Sequence, residues 1–196
     1  EKQIYTYNDL QQPVTCVEYV GASTSSLNKK REIRWTYDTY GNILSEMVAP
    51  YNATEFIGKT YAYDSNGINL QSITNELGQI TTFANYNKFG KPLIITDHKG
   101  RVTTDEYDYW GKLISRTMPD GTVSSTTEAW GGIGCYTVTS SSSGKPKQIV
   151  HYDAAGREVR SGSQRYNGLW LFTDKVYGRN GQIQKVSLPF KSTLEA

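Results

Sequence analysis

The sequence predicts an all-β chain, a repetitive meander of short antiparallel hairpins, and three observations carry that expectation. A glycine returns every ten to thirteen residues, at Gly67, Gly78, Gly90, Gly100, Gly111, Gly121, Gly131 or Gly132, Gly144, Gly156, Gly168 and Gly181, with earlier copies at Gly41 and Gly58. About every second one closes a Tyr-Asp-x-x-Gly signature. No stretch of useful length has helical periodicity, and Thr, Tyr, Ser and Gly dominate where Ala, Leu and Glu would stand in a helix. A fixed period means that one supersecondary unit is stacked, and such a unit buries its apolar face only against its neighbours.

The elements follow in chain order. A degenerate copy opens at Tyr7-Asn8-Asp9-Leu10-Gln11, with Gln11 in the glycine's place. Ile33-Arg34-Trp35-Thr36-Tyr37 alternates with period two and reads as a half-buried strand leading into Asp38-Thr39-Tyr40-Gly41. From Val48 to Lys59 the pattern breaks around Pro50, Tyr51, Asn52 and Phe56, which predicts a longer connecting loop. Full copies then come at Tyr63-Asp64-Ser65-Asn66-Gly67, Tyr86-Asn87-Lys88-Phe89-Gly90, Tyr107-Asp108-Tyr109-Trp110-Gly111 and Tyr152-Asp153-Ala154-Ala155-Gly156, and a last one at Tyr177 to Gly181 lacks the acid. From Tyr37 onward the tyrosines lie 26, 23, 21, 45 and 25 residues apart, so the long gap hides a decayed unit. Weaker turns at 75–79, 97–101 and 119–122 sit between the full ones. The polar run Ser140 to Pro146 predicts a hairpin tip, with a weak seam near 140–147 in an otherwise single array over 1–196.

Elementary turn chemistry accounts for the residue types. An Asp or Asn at the first position of a type I turn accepts a hydrogen bond from the backbone two residues on, and the glycine three positions later takes the left-handed conformation of a bulged hairpin loop. Asp38, Gly41, Asp64, Gly67, Asn87, Gly90, Asp108, Gly111, Asp153 and Gly156 are therefore the expected turn formers.

Composition excludes several function classes. The chain has 196 residues, 37% hydrophobic and 12% aromatic, with a net charge of +2 from 21 bases and 19 acids. The bases are scattered, which argues against nucleic acid as a partner. No segment approaches eighteen apolar residues, so no membrane span is expected. Glu1-Lys2-Gln3-Ile4 already carries strand pattern rather than that of a signal peptide, as for a processed or excised piece. Cys16 and Cys135, 119 residues apart, leave a disulfide open; the expectation is two free, packed thiols.

The Tyr-Asp-x-x-Gly-(Arg/Lys/Asn)-(Leu/Ile) signature, in five good and two degenerate copies over nearly the whole chain, resembles the RHS or YD repeat of bacterial Rhs proteins, toxin-complex B and C components and teneurins. The tail from Lys175 to Phe190 is similar to a segment of toxin-complex B-type proteins. The resemblance implies a curved or spiral sheet of hairpins that winds into a hollow shell, which in the toxin proteins encloses a C-terminal polypeptide; some members are described as carbohydrate-binding or surface-contact proteins. It further implies a secreted or cell-surface location, with the remaining repeats and a C-terminal cargo as partners. The family's autoproteolytic Asp-Pro element is absent from this chain, so self-cleavage is not carried over.

The search for chemistry is mostly negative. His98 sits in a tight turn and His151 in a strand, and no serine has a nucleophile-elbow pattern. Two isolated cysteines and two isolated histidines fall short of a zinc site. Asp105-Glu106-Tyr107-Asp108 lacks calcium-loop spacing. Asp38, Asp64, Asp108 and Asp153 are spaced by the repeat, which argues for geometry over paired-acid catalysis. No enzyme activity, cofactor or metal is expected. Tyr109 and Trp110, at an exposed turn, are the candidate glycan contacts of a rival reading as a carbohydrate- or cell-surface-binding module, while the other aromatics are expected in the core. Strand edges left open would pair with a second copy and give dimers.

Overall fold

The computed structural model describes residues 2–21, 28–50 and 53–192. Seventeen β-strands and no helix occur among them. The chain forms two compact units, residues 1–102 and 103–196.

The first unit is an antiparallel meander of β1 (Lys2–Tyr7), β2 (Pro13–Val20), β3 (Asn28–Tyr37), β4 (Ile43–Pro50), β5 (Ile57–Tyr63), β6 (Leu70–Thr74), β7 (Ile80–Tyr86) and β8 (Pro92–Thr96), each paired with the next. Outgoing strands β1, β3, β5 and β7 end on the motif tyrosines. In three of these hairpins the return strand carries one extra residue just after the turn. Thr36 faces Ser45 but Tyr37 faces Ile43, which leaves Leu44 over; Val14 and Gln71 are the extra residues of the other two. Such a bulge follows a turn that ends in a left-handed residue, and it raises the local twist. The β7–β8 hairpin keeps a balanced register instead, and Asn85 adopts a φ of 55° beside the tyrosine.

The segment 48–59 departs from the expected long loop. β4 runs through Pro50 and β5 resumes at Ile57, with Val48 opposite Ile57 and Met47 opposite Gly58, so the connection is confined to residues 51–56. Tyr51 and Asn52 lie outside the described residues. Gly58, which falls on the glycine beat, is a strand residue and not a turn: a Cβ there would overlap the Glu46 carbonyl and the Met47 backbone. Close strand approach, not a left-handed φ, is what requires glycine at this position.

The second unit continues the same plan with β9 (Val102–Tyr107), β10 (Leu113–Thr117), β11 (Val123–Trp130), β12 (Tyr136–Ser142), β13 (Gln148–Tyr152), β14 (Glu158–Gln164), β15 (Trp170–Tyr177), β16 (Ile183–Val186) and β17 (Phe190–Ser192). β9 to β16 pair consecutively, and β17 pairs with the other half of β15, so β16 and β17 are one return strand broken at Ser187-Leu188-Pro189. Of the 140–147 stretch, Ser140, Ser141 and Ser142 belong to β12, and residues 143–147 are the connection to its partner β13. The decayed unit of the long tyrosine gap is the β11–β12 hairpin. Trp130 stands in the tyrosine's place, and Gly131, Gly132 and Gly134 all take positive φ in a turn without an acid.

The apolar core lies in this unit. Ile149, Trp170 and Phe172 are buried together and Phe190 packs on them. Gly162, on β14, leaves the space that the Phe172 ring fills. In the first unit the buried apolar side chains are the small ones, Cys16 and Ala49. Both cysteines are free thiols; Cys16 is buried and Cys135 half-buried.

Candidate functional site

The repeated turns concentrate most of the polar chemistry of the chain. In each full copy the acid or amide side chain folds over its own turn. Asp38 Oδ1 accepts from the amides of Tyr40 at 2.9 Å and Asn42 at 2.8 Å. Asp108 does the same with Trp110 and Lys112, Asp153 with Ala155 and Arg157, and Asn87 with Phe89 and Lys91. Asp64, whose turn is one residue longer, accepts from Ile68 at 2.9 Å. Gly41, Gly67, Gly90, Gly111 and Gly156 each donate to the carbonyl of their acid or amide residue, with φ from 67° at Gly67 to 92° at Gly41. At Gln11 the same left-handed conformation is held by a residue with a side chain, φ 61°. The intervening turns at Asn75 and Asp97 use an identical pattern, with bonds from the second and fourth residues on.

A second rule concerns the residue that follows the glycine, the Arg, Lys or Asn of the signature, to which the sequence reading assigned no role. Its side chain complements the free end of the acid or amide. Asp38 receives Asn42 Nδ2, and Asp97 and Asp153 receive the guanidinium groups of Arg101 and Arg157. The amide Nδ2 of Asn8 instead donates to Gln12, and that of Asn75 to Gln79. Asp goes with a donor and Asn with an acceptor, a covariation between two positions four apart. Asn87 breaks the rule, because Lys91 cannot accept, and its Nδ2 is buried without a partner among the described residues. At Asp108 the corresponding Lys112 pairs with Glu128 instead.

These bonds set the electrostatics. The Arg101 guanidinium holds the Asp97 carboxyl down to about 2. The Ile68 amide, and after it the Asn69 side chain, hold Asp64 low, and the Arg157 amide and guanidinium hold Asp153 low. At Asp38 desolvation pushes upward, but the Asn42 side chain and three backbone amides outweigh it and leave the carboxyl below its ordinary value. A carboxylate so satisfied and so acidic is a poor proton donor or acceptor near neutral pH.

Three further contacts join one turn to the next in the first unit. Gln12 Nε2 donates to the Gly41 carbonyl at 3.2 Å, and Asn42 Nδ2 donates to the Gly67 carbonyl at 2.7 Å. The Tyr40 hydroxyl donates to the Ser65 carbonyl at 3.2 Å, and its ring covers Gly67, where any Cβ would overlap it. Here glycine is required twice, by a φ of 67° and by the ring.

Three of the motif tyrosines make a different link, while the Tyr107 hydroxyl donates to Asp105 on its own strand at 3.4 Å. Tyr37 donates its hydroxyl to the Pro13 carbonyl at 2.7 Å, Tyr177 to Glu158 at 2.8 Å, and Tyr86 to Leu70. Pro13, Leu70 and Glu158 are each the first residue of the preceding return strand. Each lies two residues short of the first cross-strand pair with the tyrosine's own strand, Thr15–Arg34, Ser72–Thr82 and Arg160–Asp174. The tyrosine therefore closes a ladder carbonyl where two strands have splayed apart near the turns, and spares it an unsatisfied acceptor.

Elsewhere the structure separates the aromatics. Trp170 is core and Trp35 half-buried, but Trp130, Tyr166 and Tyr40 join Tyr109 and Trp110 on the surface, against the expectation of core packing for the first three. Turn and hairpin-end positions have no second sheet to cover them, which explains the exposure. Tyr109 and Trp110 are 73% and 82% exposed and meet edge to face at 5.3 Å. Asp105, in the segment weighed as a calcium loop, is instead buried in a bidentate pair with Arg116 at 2.6 Å. His98 is exposed in its turn. His151 is buried with Nδ1 at 2.9 Å from Thr137 Oγ1; burial, and then the Arg160 charge, push it below its ordinary value. Among the described residues no three His, Cys, Asp or Glu side chains converge to hold a metal, and no helix is long and apolar enough to cross a membrane.

The same fold is found in solved structures. A crystal structure of TcdB2-TccC3-TEV superposes with a TM-score of 0.64 at 14% identity, over 94% of this chain and 10% of that one. A crystal structure of TcdB2-TccC3 gives 0.64 at 13% identity with the same coverage. This chain thus spans about a tenth of the length of these relatives, and at such identity the likeness is one of fold. Among curated proteins none matches the chain. The teneurin YD-shell family model matches residues 2–192, and with its hairpins closed by Tyr-Asp-x-x-Gly turns the chain belongs to that family of RHS/YD-repeat proteins.

Proposed function

We propose that residues 1–196 form one array that serves as a wall segment of a larger β shell, without catalytic activity, in a secreted or cell-surface protein. The shell keeps a C-terminal toxin or other cargo polypeptide apart from its surroundings, and the partners of this segment are the remaining repeats and that cargo. The observation that supports the reading is the set of turn-to-turn links in the first unit, from Gln12 to Gly41 and from Asn42 and Tyr40 to the 65–67 turn, which join three successive hairpins side by side. Limited proteolysis of the full-length polypeptide tests it. Segments downstream of the repeats should resist protease in the parent and be digested in a variant whose wall is opened by Gly67→Val; equal digestion in both would refute enclosure.

A second reading, glycan binding, is favoured by the Tyr109–Trp110 pair, whose exposed rings could stack on a sugar face. Glycan addition should then change tryptophan fluorescence in the parent protein but not in Trp110→Ala.

A further inference from the structure

One turn of the second unit reverses the charge found at the others. Where an Asp or Asn opens a turn, its side chain folds over the backbone and closes it. The turn 165–169, between β14 and β15, has the same backbone: the Gly168 amide donates to the Arg165 carbonyl at 2.9 Å, and Gly168 has a φ of 82°. Yet Arg165 holds the first position, and the closing role passes to Asn167, whose Oδ1 accepts from the Leu169 amide at 3.2 Å. The turns that open at Met118 and Gly178 use Asp120 and Asn180 in the same way. Of these three first positions released from turn chemistry, only Arg165 carries a charge.

Arg165 is exposed, and a groove of about 320 Å³ separates it from the connection between β12 and β13. Lys145, Lys147, Arg165 and Tyr166 line this groove, and no acid does. Its walls are tied together, because the Gln164 amide donates to the Lys147 carbonyl at 2.9 Å. Arg116, Arg157 and Arg160 of the same unit each lie on an aspartate, whereas Lys145, Lys147 and Arg165 make no ion pair among the described residues.

We infer that this groove binds a tetrahedral oxyanion, a phosphate or sulfate group, free or carried on a sugar. Three positive charges around one space repel one another, and a bound anion reverses that repulsion, a dianion more strongly than a single carboxylate. The planar guanidinium matches two oxygens of such a group, and the two ammonium groups act on the others as point charges. Tyr166 adds a fully exposed ring to the lining, on which a sugar carrying the anion can stack. The site does not depend on the wall reading.

Backbone amide shifts of the whole chain, titrated with inorganic phosphate and with sulfate at constant ionic strength, test it. The amides of Lys145, Lys147, Arg165 and Tyr166 should shift saturably, and acetate should leave them in place. Arg165→Gln should weaken phosphate binding by about tenfold, the loss of one charge-assisted contact. Arg179→Gln, an equal change of charge at another exposed turn position, should bind as the parent does. Glucose phosphate separates the two sources: binding tighter than that of inorganic phosphate, with the gain lost in Tyr166→Ala, assigns the groove to a sugar-borne anion, and binding no tighter assigns it to the free one. Shifts that never saturate, an acetate response equal to that of phosphate, or equal weakening by Arg165→Gln and Arg179→Gln would each overturn the inference and leave general surface charge as the cause.

Discussion

The two units repeat one hairpin plan and hold it together differently. In residues 1–102 the buried apolar side chains are Cys16 and Ala49, and what joins successive hairpins is polar: Gln12 and Asn42 reach to neighbouring turns, Tyr40 covers Gly67, and Tyr37 and Tyr86 close carbonyls of the preceding return strands. In residues 103–196 the decayed Trp130–Gly134 turn has no acid, and the unit holds an aromatic core on β13, β15 and β17: Trp170 stacks on Phe172 at 5.8 Å, Phe190 closes the cluster, and the Arg160 guanidinium lies 5.3 Å from each of the two phenylalanine rings. Asp105–Arg116 and Arg160–Asp174 add bidentate ion pairs. The same hairpin plan is thus held in one unit by an aromatic core and in the other by turns laced together.

The sharpest way to break this contrast is to empty the core of the second unit. Phe172 is 1% exposed, and Phe172→Ala should cost about 3–5 kcal/mol, the range for deleting a buried aromatic ring. Urea denaturation followed by exchange of amides in 103–196 measures it, and a cost under about 1 kcal/mol would mean that this unit too rests on its turns.

Next in size is a pair of glycines in the first unit. Gly90 has a φ of 70° with open space around it, so Gly90→Ala should cost about 1 kcal/mol of backbone strain. Gly67→Ala adds the overlap with Tyr40 and should cost roughly 1–3 kcal/mol more. In a Tyr40→Ala background the excess should vanish; an excess that survives would put the constraint elsewhere than the ring.

A smaller effect separates hydroxyls. Tyr37→Phe should destabilise by about 1 kcal/mol because the Pro13 carbonyl loses its donor. Tyr7→Phe, whose hydroxyl makes no such bond among the described residues, should leave the melting temperature of the isolated chain unchanged. Equal effects of the two would argue against carbonyl closure as the role of the motif tyrosine.

The smallest effect is a difference in pH response. The folded pKa of His151 lies below its ordinary 6.5, so its contribution to the second unit is complete above that value and is lost as pH falls through it toward the folded value. Asp38, Asp64 and Asp97 in the first unit are also lowered, but as acids they contribute above the unfolded value of about 3.9, and that contribution is lost only below it. Between pH 7 and 5.5 the second unit should weaken and the first should not, and His151→Gln should abolish the difference. Parallel weakening of both units would show that His151 is not its source.

The all-β class, the antiparallel meander and the family were legible because glycine spacing, Tyr-Asp dipeptides and period-two strands are short-range patterns. A turn of type Asp38–Gly41 is closed by atoms within four residues of one another, so residue types mark where the chain reverses. The segment 48–59 shows the limit. Pro50 and Asn52 resemble loop residues, yet pairing of Val48 with Ile57 extends both strands, and Gly58 serves close approach instead of a turn. Asp105 shows it again, since nothing near it in sequence announces Arg116 as its partner across two strands.

Thus the sequence by itself determined the hairpin, its length and the chemistry of its turn, all set by local hydrogen bonding and steric limits on φ. Only the tertiary structure decided which turn binds which, that Tyr37 reaches back to Pro13, and that the buried aromatic core lies around Phe172. Those outcomes depend on strand register, where one extra residue such as Leu44 changes which side chains meet, and register is set by the whole ladder of paired strands and not by any single repeat.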